Sequence, residues 1–358
     1  MDAKKIMAIA IVAILVVAGV GALFLLNDDE DAELRVSYLK KSAYETQIIA
    51  DSIDAFSDYD LDVESVPVSG SGSDSVNLLL AGEVDIANTG EGPVASAIKK
   101  HGSDIVIVCA ANVYTGGQVW VASPEMSGSK EITPYDKTSD NKDDVKASFE
   151  NAKDALGRPI SIGVQQGSTT ESEVKAWMKH MGISFNDIGA DADTSKLVTL
   201  RDIKANLLPS TMSNKGIDIL AASQPYPDNT LTTIPGSYVI GSNADIDSYG
   251  LSVYITTKDI YIEKNAEIKK FVSALKDATD YMVDPDNYEE CTETCAEVCG
   301  TDVSTFESAW SISEFQIGWT DKMADVLHNT CKKKGVDVTL EFCKGLCPSE
   351  LKDHMDSL

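Results

Sequence analysis

Arginine is scarce: Arg35, Arg158 and Arg201 are the only ones in 358 residues. A ligand clamp built from several bidentate guanidinium forks is therefore excluded. Histidine is nearly absent as well. His101, His180, His328 and His354 are the four present; none falls in a candidate ligand loop, and no Ser/His/Asp or metal spacing converges, so no enzyme is expected. Basic charge is in deficit overall, with 30 Lys+Arg against 57 Asp+Glu and a net charge of −27. Nothing here neutralises a phosphate backbone over a wide face, so nucleic acid is excluded as a partner. Adsorption to anionic lipid through a basic patch is excluded on the same ground. The first cysteine is Cys109, so no lipid-modified cysteine follows the N-terminal segment. What is present is apolar: 43% hydrophobic residues give a well-buried core and rule out global disorder. The length fits two compact units or one large one.

The N-terminal segment decides the compartment. Met1–Lys5 carries two lysines, and Ile6–Leu26 then runs for 21 residues without a charge. At ~1.5 Å per residue that run crosses a hydrocarbon core of about 30 Å. Asp28, Asp29, Glu30, Asp31 and Glu33 follow. Lysines before and acids after orient the chain with its N-terminus inside and the remainder outside. The expectation is an anchor at Ile6–Leu26 on the extracytoplasmic face, with residues 1–33 as anchor and acidic linker. The rival is a cleaved signal peptide, which would release the protein.

Strands and helices alternate beyond the linker. Leu34–Leu39 reads as a strand, Tyr44–Phe56 as a helix through Ile48, Ile49, Ile53 and Phe56, and Leu61–Val68 as a strand. Ser73–Ala81 and Val94–Lys100 read as helices, Val84–Asn88 and Ile105–Ala111 as strands. This order implies a parallel or mixed sheet covered by helices. Val119–Ala122 is one more strand, and the polar Ser123–Asp144 reads as a loop or insertion. A second series starts at Ile160–Gln165 with the helix Glu171–Met181, and runs on through the strands Leu197–Leu200, Ile217–Ala222 and Ser237–Gly241. Tyr249–Thr256 is β-rich, and Asn265–Tyr281 is a strongly amphipathic helix.

Two strand-to-helix loops carry the functional signal. Ser69-Gly70-Ser71-Gly72-Ser73-Asp74 and Gln166-Gly167-Ser168-Thr169-Thr170 each offer glycines for close approach, hydroxyl donors and the free N–H groups of a helix start. Each alone reads equally as an ordinary N-cap. Two of them, one in each αβ series, point to a ligand held between two lobes.

The run Leu79-Leu80-Ala81-Gly82-Glu83-Val84-Asp85-Ile86-Ala87 resembles a signature of the extracytoplasmic solute-binding proteins of ABC importers, in the nitrate/sulfonate/taurine and thiamine-precursor branch. Supporting matches occur in order: Arg35–Leu39, Leu61–Glu64, Ile160–Ser168, and Gly216-Ile217-Asp218-Ile219-Leu220 followed by Gln224-Pro225. The resemblance spans about Leu34 to Met282. It implies an α/β, two-lobed class II periplasmic-binding-protein fold, to which the N-terminal transmembrane helix and a cysteine-rich helical C-terminal extension are added. Lobe one would comprise residues 34–122 plus 249–290 and lobe two residues 123–248, with residues 291–358 packed on lobe one. Crossings would lie near Gly117–Ser123 and Asp247–Ser252.

By position, the resemblance implies ligand contacts from Lys40, Ser42 and Tyr44, from Ser71 and Ser73, from Thr89 and Gly90, and from Ser168 and Thr169. Tyr114 and Tyr226 are candidates to stack on or wall the ligand. The branch often has Trp-Glu-Pro where this chain has Ser223-Gln224-Pro225; Gln224 thus replaces a carboxylate that would pair with a ligand amine. Hydroxyl-rich helix starts favour an anion such as sulfonate, nitrate or carboxylate, with Lys40 or Lys41 adding a charge. The implied function is a monomeric receptor that delivers a small ligand to an ABC permease, without a cofactor or a metal. The alternatives are an enzyme of pyrimidine-synthesis or aromatic-pathway type on the same fold, and a ligand-sensing ectodomain.

Six of the seven cysteines fall late: Cys291, Cys295, Cys299, Cys331, Cys343 and Cys347. Outside the membrane an even set reads as disulfides. Two antiparallel helices would allow Cys291–Cys347 and Cys295–Cys343, leaving Cys299–Cys331, one of fifteen connectivities. A metal or iron–sulfur site, with His328 as a further ligand, is the rival, although x3 spacing differs from the usual x2 knuckle. Cys109, alone in an apolar strand, reads as a buried thiol.

Overall fold

Alternation of apolar strands and amphipathic helices builds two sheets. The computed structural model describes residues 32–191 and 193–358. The chain divides into Met1–Glu33 and Leu34–Leu358, and the second unit is the one described below. The proposed span at Ile6–Leu26 lies outside the described residues; among those described, no helix is long and apolar enough to cross a membrane.

The first half-lobe runs β1 (Leu34–Leu39), α1 (Glu45–Ser52), β2 (Val63–Val68), α2 (Gly72–Ala81), β3 (Ile86–Gly90), α3 (Glu91–His101) and β4 (Ile105–Tyr114). The chain then enters a second lobe: β5 (Gln118–Ala122), α4 (Lys142–Leu156), β6 (Ile160–Val164), α5 (Thr169–His180), β7 (Phe185–Asn186), β8 (Val198–Asp202), α6 (Leu208–Ser213), β9 (Ile219–Ser223), α7 (Tyr226–Thr233) and β10 (Tyr238–Ser242). It returns through β11 (Gly250–Thr257), α8 (Lys258–Glu263), α9 (Asn265–Val283), α10 (Tyr288–Cys299), α11 (Val303–Ser311), β12 (Ser313–Gly318), α12 (Asp321–Lys333), α13 (Leu340–Gly345) and α14 (Ser349–Asp356).

The first sheet has the order β12-β4-β11-β3-β1-β2 and the second β10-β5-β9-β6-β8-β7. In each, the βαβ connections give parallel pairs (β1 with β2 and β3, β6 with β8 and β9). The strands next to the crossings run antiparallel to their neighbours (β11 to β3 and β4, β5 to β9 and β10). Every residue of β4 is buried, as befits a strand covered on both faces. Helix α9 seals the first sheet with Ile268, Phe271, Leu275, Ala278 and Met282, a stripe of helical period. Phe271 stacks on Phe56 and meets Tyr254 edge-on, both with ring centroids 5.4 Å apart. In the second lobe Trp177 packs against Trp120 and Phe149.

Three sequence expectations are corrected. The resemblance puts residues 118–122 in lobe one, but β5 pairs with β9 and β10; the first crossing is therefore Thr115–Gly117, and the second runs through Asn243–Tyr249. The polar stretch expected as a loop up to Asp144 turns helical at Lys142, where Val145, Ser148, Phe149 and Ala152 bury one face. Finally, residues 291–358 are not only helical: β12 joins the edge of the first sheet beside β4.

The cysteine pairing is corrected too, since all seven cysteines are free. Cys331 shares a thiol hydrogen bond with Cys343, and Cys347 points at the Val108 carbonyl, 4.0 Å away beside Cys109. These four lie in the lobe-one core. Cys291 and Cys295 instead bury against Tyr38, Ile48, Ile49 and Phe306 in a separate cluster that Cys299 flanks. The partners expected in each bridge thus sit in different clusters.

Candidate functional site

The motif that carries the resemblance turns out to be structural. Asp85 accepts the Arg35 N–H at 2.8 Å and pairs with the Lys264 ammonium at 3.1 Å, pinning the starts of β1 and α9 to β3. Asp218 does the same in lobe two. It holds the Arg158 fork through bonds of 2.7 and 2.9 Å, and accepts the Ser161 N–H at 2.8 Å. Its carboxyl stays below the usual range because these donors outweigh the burial.

Between the lobes lies a cavity of about 230 Å³. From lobe one it is lined by the loop after β1 (Lys41, Ser42, Ala43, Tyr44), by Ser71 and Gly72 at the start of α2, by Gly90 and Pro93, and by Tyr114. Lobe two brings Gln118, Gln165, Ser168, Thr169, Thr170, Ser223 and Gln224. Both strand-to-helix loops therefore open onto one cavity. The loop after β1 is held in an unusual turn: Ala43 has φ +77°, a left-handed conformation costly for a residue with a Cβ. Its N–H donates to Glu45 Oε1 at 3.0 Å and its carbonyl accepts from Asn112 Nδ2 at 3.4 Å.

Among the described residues, Lys41 is the one cationic side chain on the cavity wall. It is only 7% exposed, and its Nζ donates to Ser223 Oγ at 3.0 Å across the cleft. Among the described residues no carboxylate oxygen lies within ion-pair distance of it. Burial pushes its ammonium down to about 8, and Asp74 offsets part of that. An ammonium held in such a place has Asp74 only at longer range and lacks a counter-charge in contact, which an anion in the cavity would supply.

The helix starts differ in what they leave free. Ser168 Oγ accepts the Glu171 N–H at 3.1 Å and donates to the Gln165 carbonyl at 2.7 Å, so its hydroxyl is fully engaged as an N-cap. Ser71 Oγ accepts the Ser73 N–H at 3.3 Å, with Asp74 completing the capping box; its own proton remains available. The first N–H groups of each helix have no acceptor within the helix. Thr169 Oγ1 accepts from the Gly92 N–H at 3.1 Å, and Thr170 Oγ1 donates to Gln118.

The lobes are shut against each other. A Cβ at Gly92 would come within 2.5 Å of Thr169 Cα, so only glycine lets α3 approach α5 this closely. Gln165 Nε2 reaches Asp74 at 3.0 Å. From the C-terminal helix α12, Lys333 pairs with Glu173 at 2.8 Å and donates to Ser248 Oγ at 2.6 Å. Glu173, on α5, has a side chain only 1% exposed. Lys334 lies 3.4 Å from the carbonyls of Gly167 and Ser168. Nearby, burial raises the Glu91 carboxyl to about 7; the Leu251 N–H lowers it, Glu173 raises it further, and Lys333 lowers it.

Of the residues carried over by resemblance, Ser42, Tyr44, Ser71, Gly90, Tyr114, Ser168, Thr169 and Gln224 line the cavity. Four stand elsewhere. Lys40 is exposed, and its neighbour Lys41 turns inward. Ser73 faces an outer groove beside Gly167. Thr89 is buried and donates to the Gly72 carbonyl at 2.9 Å, bracing the loop. Tyr226 packs with Ala205, Leu208 and Ala222 in a satellite core of lobe two. Gln118, Gln165, Thr170 and the stretch Ser308–Ser313 were not anticipated as lining residues. Among the described residues no group of three or more His, Cys, Asp or Glu side chains could hold a metal.

Two α/β lobes joined by two crossings and closed on a shared cavity define a periplasmic-binding-protein fold. A model of the NMT1-like family matches residues 27–296, and the chain belongs to that family. No curated protein sequence matches the chain. Among solved structures, the periplasmic nitrate-binding protein NrtA from Synechocystis PCC 6803 superposes with a TM-score of 0.70 at 12% identity, covering 91% of this chain and 88% of its own. The alkanesulfonate-binding protein SsuA from Xanthomonas axonopodis pv. citri, bound to MOPS, gives 0.64 at 13%, covering 91% and 98%. The periplasmic aliphatic sulphonate binding protein SsuA from Escherichia coli gives 0.61 at 16%, covering 84% and 90%. A 91% share extends past residue 296, so part of the C-terminal region also superposes on that fold.

Proposed function

We propose that the protein is an extracytoplasmic solute-binding receptor that takes a small monoanion of sulfonate, nitrate or carboxylate type between its lobes and passes it to an ABC permease. The observation that carries this reading is Lys41: a buried ammonium on the cavity wall with a serine hydroxyl as its partner and no carboxylate beside it. Around it stand the Ser71 hydroxyl and the free N–H groups of two helix starts, donors suited to anionic oxygens. The family and the likeness of fold to sulfonate- and nitrate-binding proteins support the same class of ligand. The two lysines before Ile6–Leu26 and the acids after it support an anchor that keeps the receptor at the membrane surface. Isothermal titration of the full-length protein with ethanesulfonate, nitrate and acetate tests the function. Saturable binding of at least one is expected; no heat from any of the three at millimolar concentration would reject it.

A further inference from the structure

We infer that the corner between α11 and β12, residues Ser308–Ser313, is the wall that selects the uncharged end of the ligand. This rests on the anion-receptor reading and adds the part of the ligand that the cationic wall leaves undefined.

The corner lies after the family match, which ends at residue 296, yet Ser308, Ser311, Ile312 and Ser313 all line the cavity. Its position is set by the edge of the first sheet. Ser313 pairs across from Tyr114, itself a cavity residue, and Phe315 across from Asn112. The Ile312 carbonyl accepts the Thr115 N–H at 3.3 Å, which ties the corner to the first crossing. The Ile312 side chain lies over Gly116 and Gly117, with Cδ1 4.0 and 3.9 Å from where their Cβ atoms would be. Three strands, β3, β11 and β4, separate β1, whose following loop carries Lys41, from β12.

The cavity-lining residues of the corner are neutral, and Trp310 packs away from them on Tyr288 and Phe315. Ser311 Oγ donates to the Ser308 carbonyl at 2.7 Å, and Ser313 Oγ donates to the Ala309 carbonyl at 2.8 Å. These hydroxyl protons are engaged, so the two serines offer an anion no donor. The corner carries no charge, and Ile312 presents a methyl. Such a surface accepts a short aliphatic segment and sets how much of it fits. The ligand class is therefore a monoanion with an aliphatic tail, held by its anionic end near Lys41.

Titration of a series of linear alkanesulfonates, from ethane- to octanesulfonate, and of the matching carboxylates decides it, using the full-length protein with thermal melts as the folding check. Ser308→Leu, at an exposed position on the cavity rim, should weaken the longest accepted member at least tenfold relative to the shortest. Ile312→Ala should shift the ratio the other way, at least threefold. Lys41→Met should weaken every member alike. If the wild type binds the series but neither wall variant changes the length preference, the wall is refuted and the receptor reading stands. If the wild type binds no member of either series, the wall is refuted; nitrate binding in the same assay would leave the receptor reading standing, and its absence too would end both.

Discussion

The ammonium of Lys41, carried by lobe one, donates to the hydroxyl of Ser223 on lobe two at 3.0 Å, so one hydrogen bond both closes the cleft and marks its charge. Lys41→Met removes the charge while keeping length. A hydrogen bond to a charged group contributes about 1.5–3 kcal/mol, so anion affinity should fall about tenfold to a hundredfold.

The same lysine predicts a pH dependence. Its ammonium is pushed down to about 8, below the ordinary lysine range. An anion restores the charged form, so binding takes up a proton once the free site has lost one. Affinity should be flat below pH 8 and fall above it, by up to about tenfold per pH unit. The ligand-free protein should gain stability from this group as pH rises through 8, since it then buries a neutral amine. Calorimetric titrations at pH 7, 8 and 9 check the first effect; equal affinities at all three would contradict it.

Ser71 and Ser168 sit in matching loops but should behave differently. Ser168→Ala removes an N-cap whose proton is already engaged, so it should cost about 0.5–2 kcal/mol of stability with little loss of affinity. Ser71→Ala removes a cap and a free donor, and should lower both. Urea melts of the ligand-free variants beside titration calorimetry separate the two; an affinity loss as large in Ser168→Ala as in Ser71→Ala would overturn the distinction.

Lys333 grips Glu173 from the far end of the sequence. Lys333→Met leaves the buried Glu173 carboxylate without its ammonium partner, a change that weighs heavily in a dry site. The closed form should lose population, with a larger radius of gyration in scattering from the ligand-free protein and a weaker ligand affinity. An unchanged radius and affinity would show that the latch does not hold the lobes.

Glu91 gives a test with a defined sign. Its folded carboxyl is raised to about 7, chiefly by burial, so its contribution to stability is full at acid pH and is lost as pH rises through 7. Glu91→Gln keeps an acceptor for the Leu251 N–H, which Glu91 Oε2 receives at 2.8 Å. The variant should match the wild type in melting temperature at pH 5 and exceed it at pH 8. The same offset at both pH values would mean the effect is packing alone.

Order and polarity of the strands were legible because burial imposes a period. The apolar run Ile105–Ala111 and the stripe of α9 read directly as what they are. Helix α4 was missed because its surroundings are Lys, Ser and Asp, although Val145, Phe149 and Ala152 keep helical spacing. The strand β12 was hidden among cysteine-bearing helices, although Ser313, Phe315 and Ile317 alternate with polar residues. At the site, Lys40 and Lys41 are chemically identical. Which one turns inward depends on the turn around Ala43, whose positive φ no local propensity foretells. The glycine-rich loops were legible as helix starts, but whether a serine hydroxyl is free or engaged depends on carbonyls such as that of Gln165, fixed by the fold around it.

The place of β11 between β3 and β4 favours an order of events as the chain emerges N-terminus first. Until Gly250–Thr257 has been made, β3 lacks a neighbour on one edge and β4 on both, since β12 follows later still, and the first sheet has a gap at its centre. Lobe two has no such gap, because all its strands lie within residues 118–242. It is the first part able to complete a sheet, and lobe one, begun earlier, must be finished around it. The high sequence separation of the β11 pairings makes that closing step slow. Until that step, the open edges of β3 and β4 are exposed to wrong pairing.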